Sequence, residues 1–238
     1  MSRGPLAAQA LNYLSQDPLL HMSMIFPIRR GTAEILHADA DGVFLHEAQS
    51  DAYMLSTVDF EKGKAWLDSV GKHPIMCLHQ RRFADYAEEK HGYETRLDCF
   101  QAVYQKGSPL PIGDEGSLCI HQLRLPAAEE VYSHYYYNAD LDHITRRIAC
   151  GEMYGAYSAG KLCGFIGTHE EGSIGLLYIL PEFRRRGYAR MLESFMVNRA
   201  LEMGSVPFAQ IVVGNEESLR LSRSLGFDIS STVLHWLF

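Results

Sequence analysis

Apolar positions in the second half of the chain recur with two different spacings, which predicts alternating strands and helices. Residues 153–157 and 162–168 are apolar runs that flank a Ser-Ala-Gly-Lys turn, a pattern typical of a β-hairpin. Residues 174–180 form an almost continuous apolar run, which predicts a strand covered on both faces. A helix ending at Gly204 is predicted next, from five residues at helical spacing: Tyr188, Met191, Leu192, Phe195 and Leu201.

The order predicted for this half is strand, helix, helix, three strands, helix, strand, helix, strand. Pro126 begins the first helix, where its missing amide hydrogen costs little, and Asn215 caps the last one. The other predicted elements are strands at residues 118–125, 207–213 and 228–236 and helices at residues 126–137, 141–149 and 215–226.

The first half mixes the same two periodicities, and its order loosely echoes the second half. Residues 106–116 carry two prolines and three glycines, and we interpret them as a linker. The sequence therefore predicts an α/β protein with a mixed sheet, with a divergent N-terminal domain at residues 1–112 and a second domain at residues 113–238. A degenerate duplication fits this order, although no internal sequence similarity supports it. The predicted elements are helices at residues 18–29, 60–70 and 81–91 and strands at residues 33–37, 43–46, 52–56, 74–78 and 97–104.

Composition and charge narrow the classes of function. Of the 238 residues, 47 % are hydrophobic and 21 % are charged, which predicts a folded core rather than disorder. The formal net charge of −7 disfavours nucleic acid and anionic membranes as partners, because both would repel the chain. Five cysteines without a Cys-x-x-Cys pair, and no apolar leader or run of about 18–20 residues, predict a cytoplasmic protein with reduced thiols.

One basic cluster interrupts this acidic background, directly after the apolar run at residues 174–180. Amides at the start of a helix lack internal partners and carry partial positive charge, and Gly187 lets a ligand approach the backbone closely. Arginines at a helix N-terminus oppose the dipole unless an anion is present, so the cluster predicts a diphosphate site; the alternative is a solvated cationic turn. The arginines within these seven positions are Arg184, Arg185, Arg186 and Arg190.

The motif Arg184-x-x-Gly187-x-Ala189 resembles the acetyl-coenzyme A-binding motif of the GNAT acetyltransferase superfamily. A second motif, from Asn215 to Gly226-Phe227, is similar to the next strand-loop-helix of that family. The resemblance covers about the last half of the chain, and it is closest to the glycine N-acyltransferase-like branch. It implies a GNAT fold at residues 113–238 and an N-acyltransferase that moves an acetyl or other acyl group from coenzyme A to a primary amine. Acetyl-CoA would be the co-substrate, with no metal.

The resemblance also implies which residues bind the coenzyme. The strand at residues 174–180 would pair with the pantetheine arm and orient the acyl carbonyl, and the loop after it would hold the diphosphate. Asn215 would touch the coenzyme or act only as a helix cap. The implied coenzyme-binding residues are Leu177, Tyr178, Ile179, Arg184, Arg185, Arg186, Gly187, Tyr188, Ala189, Arg190, Asn215 and Ser218.

The general acid is open at the level of sequence. Many members of the family place a tyrosine seven residues after the asparagine, and Ser222 occupies that position here. A serine hydroxyl is a far weaker acid, so Tyr178 or Tyr188 would substitute, or the thiolate would leave unaided. Both tyrosines also fit as packing residues.

The general base is open as well. Glu171 is the predicted base, with Glu170 beside it, because the family often positions a carboxylate or a water relay just before the coenzyme-binding strand. His121 and His169 are alternatives on neighbouring strands, although a lone histidine is more often structural.

The run at residues 132–137 contains four tyrosines and a histidine on the helix pair that covers the acceptor side of this fold. It would line a pocket for a small-molecule amine or amino acid, or it would pack in the core. The rival hypothesis is a coenzyme A-binding or interaction module without catalysis. A homodimer is compatible with either hypothesis, through the N-terminal domain.

Overall fold

The computed structural model describes residues 4–113, 118–135 and 140–238. Its helices are α1 (Pro5–Leu14), α2 (Met22–Arg30), α3 (Phe60–Val70), α4 (Arg81–His91), α5 (Ala128–Tyr135), α6 (Leu141–Ala149), α7 (Tyr188–Glu202) and α8 (Glu216–Leu225). Its strands are β1 (Ala33–Ala38), β2 (Gly42–Glu47), β3 (Ala52–Thr57), β4 (Met76–Leu78), β5 (Arg96–Val103), β6 (Cys119–Gln122), β7 (Met153–Ser158), β8 (Lys161–Thr168), β9 (Ile174–Ile179), β10 (Phe208–Val212) and β11 (Asp228–Leu237).

Contacts divide the chain into two compact units. The first contains the residues up to Val103 together with Gln210–Arg220 and Asp228–Phe238, and the second contains Tyr104–Ala209 and Leu221–Phe227. The predicted domain division at residue 112 stays a prediction.

The first unit is a mixed sheet covered by helices. Its strand order is β1-β2-β3-β4-β11-β5, in which β3 and β4 run parallel and the other neighbours run antiparallel. Strand β2 is apolar and buried at four successive positions, as expected for an inner strand. Helices α3 and α4 pack their apolar side chains onto one cluster of the core, which includes Phe44, Leu55, Leu67, Leu78 and Phe83.

The second unit is also a mixed sheet, with strand order β10-β9-β8-β7-β6. Strands β6 to β9 are antiparallel, and β10 pairs with β9 in parallel, with Ala209 opposite Ile174. Helices α5 and α6 share a core with β7, β8 and β9 that includes Val131, Ile144, Phe165 and Leu176. The predicted α/β fold with a mixed sheet is confirmed.

Three predictions about elements are corrected by the structure. Helix α1, which was not predicted, begins with Pro5 at its first turn and buries Ala10, Tyr13 and Leu14. Helix α2 begins at Met22 rather than at residue 18, because residues 17–21 form turns. The predicted helix at residues 126–137 begins instead as a 3-10 turn at Leu125–Ala127, before α5.

Strand β9 is not covered on both faces as predicted. Ile174 and Leu176 are buried, whereas Leu177, Tyr178 and Ile179 are half-buried. A β-bulge breaks the register between β8 and β9, and at this bulge Leu176 has a left-handed φ of 52°. A leucine in that conformation is strained, and such strain persists only where the surrounding structure enforces it. The bulge therefore changes the alternation of side chains along the strand.

Candidate coenzyme site

The segment between β9 and α7, which contains the basic cluster at residues 184–190, forms a sharp turn. Pro181 opens a 3-10 turn at Pro181–Phe183, and Arg184 is extended. Arg185 and Gly187 then adopt left-handed φ angles of 63° and 84°, and α7 begins at Tyr188. Left-handed residues turn successive amide groups toward one side, which is the geometry of backbone anion sites. Gly187 takes this conformation without strain because it lacks a Cβ.

The amides of this turn are open. In the described part of the chain, the amide NH groups of residues 185–190 have no protein acceptor, and no side chain caps α7. The next amide, that of Met191, donates to the carbonyl of Gly187 at 3.1 Å and so starts the helical pattern. Open amides at a helix start, with the partial positive charge of the helix dipole, suit an anionic ligand.

The arginine side chains surround this turn and are exposed. Arg184 donates from Nε to the carbonyl of Ile179 at 3.0 Å, and Arg186 donates to the carbonyl of Glu182 at 3.0 Å. Arg190 donates to the hydroxyl and the carbonyl of Ser224, at 2.8 and 3.2 Å. These bonds hold three guanidinium groups at defined positions near the open amides.

The surface beside the turn leaves room for a ligand. A Cβ built on Gly187 would meet no atom within 4 Å, so open space lies beside its backbone. Ala189 is half-buried and small. Tyr188, by contrast, is only 7 % exposed, so its ring is a packing residue. The predicted role of Tyr188 as a general acid has no support in this position.

Tyr178 lies in an aromatic cluster of the second unit. Its ring stacks on Phe165 at 5.6 Å and on His134 at 5.9 Å between centroids, and the guanidinium of Arg184 lies 5.6 Å from its centroid. Tyr135 meets it edge-on. Part of the predicted aromatic run at residues 132–137 is therefore core packing around Tyr178, and the tyrosines at 136 and 137 lie outside the described residues.

Asn215 and Ser218 belong to the first unit. The side chain of Asn215 accepts the amide of Ser218 at 3.1 Å, which is the bond of an N-cap. Both residues therefore have a structural role at the start of α8. Their coenzyme contacts stay a prediction.

Ser222, the residue at the position of the usual tyrosine, is 2 % exposed. Its hydroxyl donates to a carboxylate oxygen of Glu193 on α7, at 3.1 Å. Burial raises the pKa of Glu193 to about 7, and the hydrogen bond from Ser222 opposes that rise in part. The hydroxyl proton of Ser222 is therefore engaged by a buried carboxyl group, and in this position it is not directed toward a leaving thiolate.

Glu193 escaped sequence analysis because a glutamate in a helix is usually exposed. Its spacing of three residues from Met196 and four from Val197, both buried, is the signal that places it on the inner face of α7.

The predicted bases lie in the turn between β8 and β9. Glu171 is 6 % exposed and accepts a short hydrogen bond from the hydroxyl of Ser173. Glu170 is half-buried and lies 3.1 Å from Nδ1 of His143, on α6. Burial favours the neutral form of Glu170, but the hydrogen bond and charge of His143 outweigh it and lower its pKa. Glu170 is therefore the more exposed of the two carboxyl groups, and its lowered pKa favours its charged form. The role of Glu171 as the base stays a prediction.

The two predicted histidines differ in environment. His169 lies 5.8 Å from His143 between ring centroids, and burial lowers its pKa, which favours a neutral imidazole. His121 is exposed on β6, where its ring faces Tyr157 at 6.2 Å. The structure thus groups His169 with Glu170 and His143, and it leaves His121 outside that group. Sequence analysis missed His143 because it precedes the turn by 27 residues.

Comparisons with known proteins bear on this geometry. Residues 153–237 match the family model described as "FR47-like protein". No curated protein matches the chain.

None of the described helices is both long and apolar enough to cross a membrane.

Solved structures resemble the chain over nearly its whole length. A Drosophila protein aligns with a TM-score of 0.69 at 15 % identity, over 100 % of this chain and 96 % of its own. A GCN5-related N-acetyltransferase-like protein from Streptococcus suis aligns with a TM-score of 0.56 at 13 % identity, over 96 % and 99 %. A GCN5-related N-acetyltransferase from Kribbella flavida aligns with a TM-score of 0.55 at 14 % identity, over 99 % and 96 %.

These similarities support the fold and not a finer assignment. None of the matches reported above supports the predicted likeness to the glycine N-acyltransferase-like branch. The chain has the fold of the GNAT superfamily, and its residues 153–237 resemble the FR47-like proteins.

Proposed function

We propose that this protein is an N-acyltransferase that uses an acyl-coenzyme A, with acetyl-CoA as the first candidate. The observation that carries the proposal is the row of amides at residues 185–190, which have no acceptor among the described residues and lie at the start of α7 among four arginines. A diphosphate would accept hydrogen bonds from these amides, and the helix dipole would favour its charge. The GNAT fold supports acyl transfer as the chemistry.

The pantetheine arm would lie along β9, where Leu177, Tyr178 and Ile179 are half-buried. The bulge at Leu176 shifts the register with β8. A backbone amide that such a bulge leaves without a strand partner would donate to the thioester carbonyl. The enzyme would then hold amine and thioester together, and the amine would attack the carbonyl carbon directly.

The acceptor would be a primary amine of a small molecule or amino acid. As it attacks, its proton would pass to Glu170 directly or through water, because this carboxylate is charged and half-buried. His143 would orient Glu170 and share the proton. With Ser222 engaged by Glu193, the thiolate would leave unaided or take a proton from Tyr178.

The rival function is a coenzyme A-binding module without turnover. The hydrogen bond from Ser222 to Glu193 favours this module, because it engages the hydroxyl group that lies at the usual position of the general acid. The two functions share the diphosphate site and differ in whether a thioester is consumed.

Thermal-shift titration tests the shared site. Acetyl-CoA and coenzyme A should raise the melting temperature in a concentration-dependent way, whereas pantetheine, which lacks the diphosphate, should give a much smaller shift. Equal shifts for pantetheine and coenzyme A would contradict the diphosphate site.

Release of free thiol from acetyl-CoA in a panel of primary amines and amino acids then separates enzyme from module. Acceleration by one amine, reduced at least tenfold in Glu170→Gln, supports the enzyme and its base. Glu89→Gln, which makes the same change at an exposed glutamate of α4, is the matched control. Saturable binding without thiol release for any amine would favour the module.

A further inference from the structure

Three side chains of the first unit converge at its surface. His46 lies on β2, Asp51 lies in the turn between β2 and β3, and His73 lies in the segment before β4. Nε2 of His46 is 2.7 Å from Oδ1 of Asp51, and Nε2 of His73 is 3.7 Å from the same oxygen. The ligating atoms of all three residues lie within 4.8 Å of one another. We call these residues the His46 cluster.

These distances fit a single metal ion. Two ligands at about 2.0–2.2 Å from a tetrahedral zinc ion lie roughly 3.3–3.5 Å apart. The measured separations bracket that value, so small rotations of the side chains would bring all three atoms to one centre. The side chains of His46 and His73 are 22 % and 21 % exposed and that of Asp51 is 67 % exposed, so an ion can reach them.

The chain around the cluster holds its members in place. Nδ1 of His73 lies 3.4 Å from the carbonyl of Ile75, which favours a proton on Nδ1 and a free lone pair on Nε2. Histidine ligands in metal sites are oriented in this manner. Asp51 has a left-handed φ of 54°, and the turn before it is fixed by the buried carboxylate of Glu47.

Glu47 fixes that turn through one oxygen atom. Its Oε2 accepts from the amides of Gln49 and Ser50 at 3.0 and 2.7 Å and from the hydroxyl of Ser50 at 2.8 Å. The position of Asp51 is therefore set by the hairpin.

The charges nearby allow a cation. Lys72 precedes His73 in the chain, but its ammonium group donates to the carbonyl of Gly92 at 2.7 Å and lies over the ring of Tyr93. The second group of possible ligands contains His143, His169 and Glu170. Nε of Arg146 lies 4.0 Å from Glu170 there, and Arg147 also acts on Glu170 and His169 through its charge. Those arginines oppose a cation, so the His46 cluster is the better site.

We propose that His46, Asp51 and His73 bind a divalent transition-metal ion of the zinc class. Two imidazole nitrogens and one carboxylate oxygen supply three ligands, and water completes a tetrahedral set. The ion would take the place of the proton that His46 shares with Asp51. It would link the β2–β3 hairpin to the segment before β4. The site is independent of the proposed acyl transfer.

The test is calorimetric titration of the full chain with Zn²⁺ at pH 7.5, after treatment with a chelator and its removal. One equivalent should bind to the wild-type protein, and His73→Gln should weaken that binding at least tenfold. His143→Gln in the second group and Cys119→Ser/Cys150→Ser at the exposed thiols should leave it unchanged.

Asp51→Asn is the second variant, because Asp51 is exposed and its replacement by asparagine keeps the left-handed turn accessible. It should also weaken Zn²⁺ binding at least tenfold while the melting temperature in chelator stays within about 2 °C of wild type. Absence of Zn²⁺ binding to the wild-type protein would overturn the proposal. So would unchanged affinity in both variants, or a loss that appears in His143→Gln or the cysteine variant instead.

Discussion

Gly187 offers the sharpest test of the coenzyme site, because its backbone conformation disfavours other residues whereas the space beside it would accept a side chain. Its φ of 84° strains any residue with a Cβ, at a cost of about 1–2 kcal/mol in the free energy of unfolding. No atom lies within 4 Å of a Cβ built there, so a clash adds nothing to that cost. Gly187→Gln and Gly187→Glu should therefore both destabilise the free protein, and Gly187→Glu should be the more stable of the two by up to about 1 kcal/mol, because its carboxylate lies at the start of α7.

The two variants should differ in binding because one adds a negative charge. A carboxylate about 4 Å from a phosphate is repelled by about 1 kcal/mol in a water-like medium and about 4 kcal/mol near a protein surface. Each 1.4 kcal/mol is about a factor of ten in affinity. Gly187→Glu should therefore bind coenzyme A about five- to sevenhundredfold more weakly than Gly187→Gln does.

Isothermal titration with coenzyme A measures this difference, and denaturant unfolding without ligand checks that Gly187→Glu is no less stable than Gly187→Gln. The difference should shrink at high salt, because the repulsion is screened. Equal affinities of Gly187→Glu and Gly187→Gln for coenzyme A would refute the placement of the diphosphate at this turn.

Two further predictions concern α7 and α8. Burial raises the pKa of Glu193 to about 7 from its ordinary value, so the folded protein binds this proton more tightly than the unfolded chain does. The free energy of unfolding of the wild type should therefore fall relative to that of Glu193→Gln as the pH rises from about 4.5 through 7, by about 3 kcal/mol in all. Denaturant unfolding at a series of pH values measures this change, and parallel pH profiles of the two proteins would contradict it. Asn215→Ala removes the cap of α8 and should cost about 1 kcal/mol in unfolding free energy, with Asn215→Ser as the capping control. Serine keeps the cap but lacks the side-chain amide, so a loss of coenzyme A affinity beyond about twofold in both variants would show that Asn215 also touches the ligand.

Regular elements could be predicted from sequence to within a few residues wherever the apolar period was clear. Helix α3 has the predicted ends, because Asp59 accepts the amide of Lys62 at its start and Gly71 follows its end. Helix α6 likewise matches, with Asp140 as its cap. The position of the turn before α7 was also predictable, because Gly187 lies between the apolar run and the helix and takes the left-handed φ of 84° that glycine favours.

The partners of polar side chains could not be predicted, because they come from distant segments. Nothing in the local sequence links Ser222 to Glu193 or Glu170 to His143, and each pair forms only when two elements pack. The bulge at Leu176 was hidden for a different reason: leucine disfavours a left-handed φ, so the strain is imposed by the sheet. This bulge is why the prediction that β9 is covered on both faces was wrong.

The arginines around the turn after β9 have a thermodynamic consequence. Arg184, Arg186 and Arg190 are already tethered to carbonyl groups of their own neighbourhood, so an arriving anion would find their cations immobilised and would forfeit little rotamer entropy there. Arg185 makes no such bond with the described residues. The conformational cost of closing around a diphosphate would therefore fall mainly on one flexible side chain.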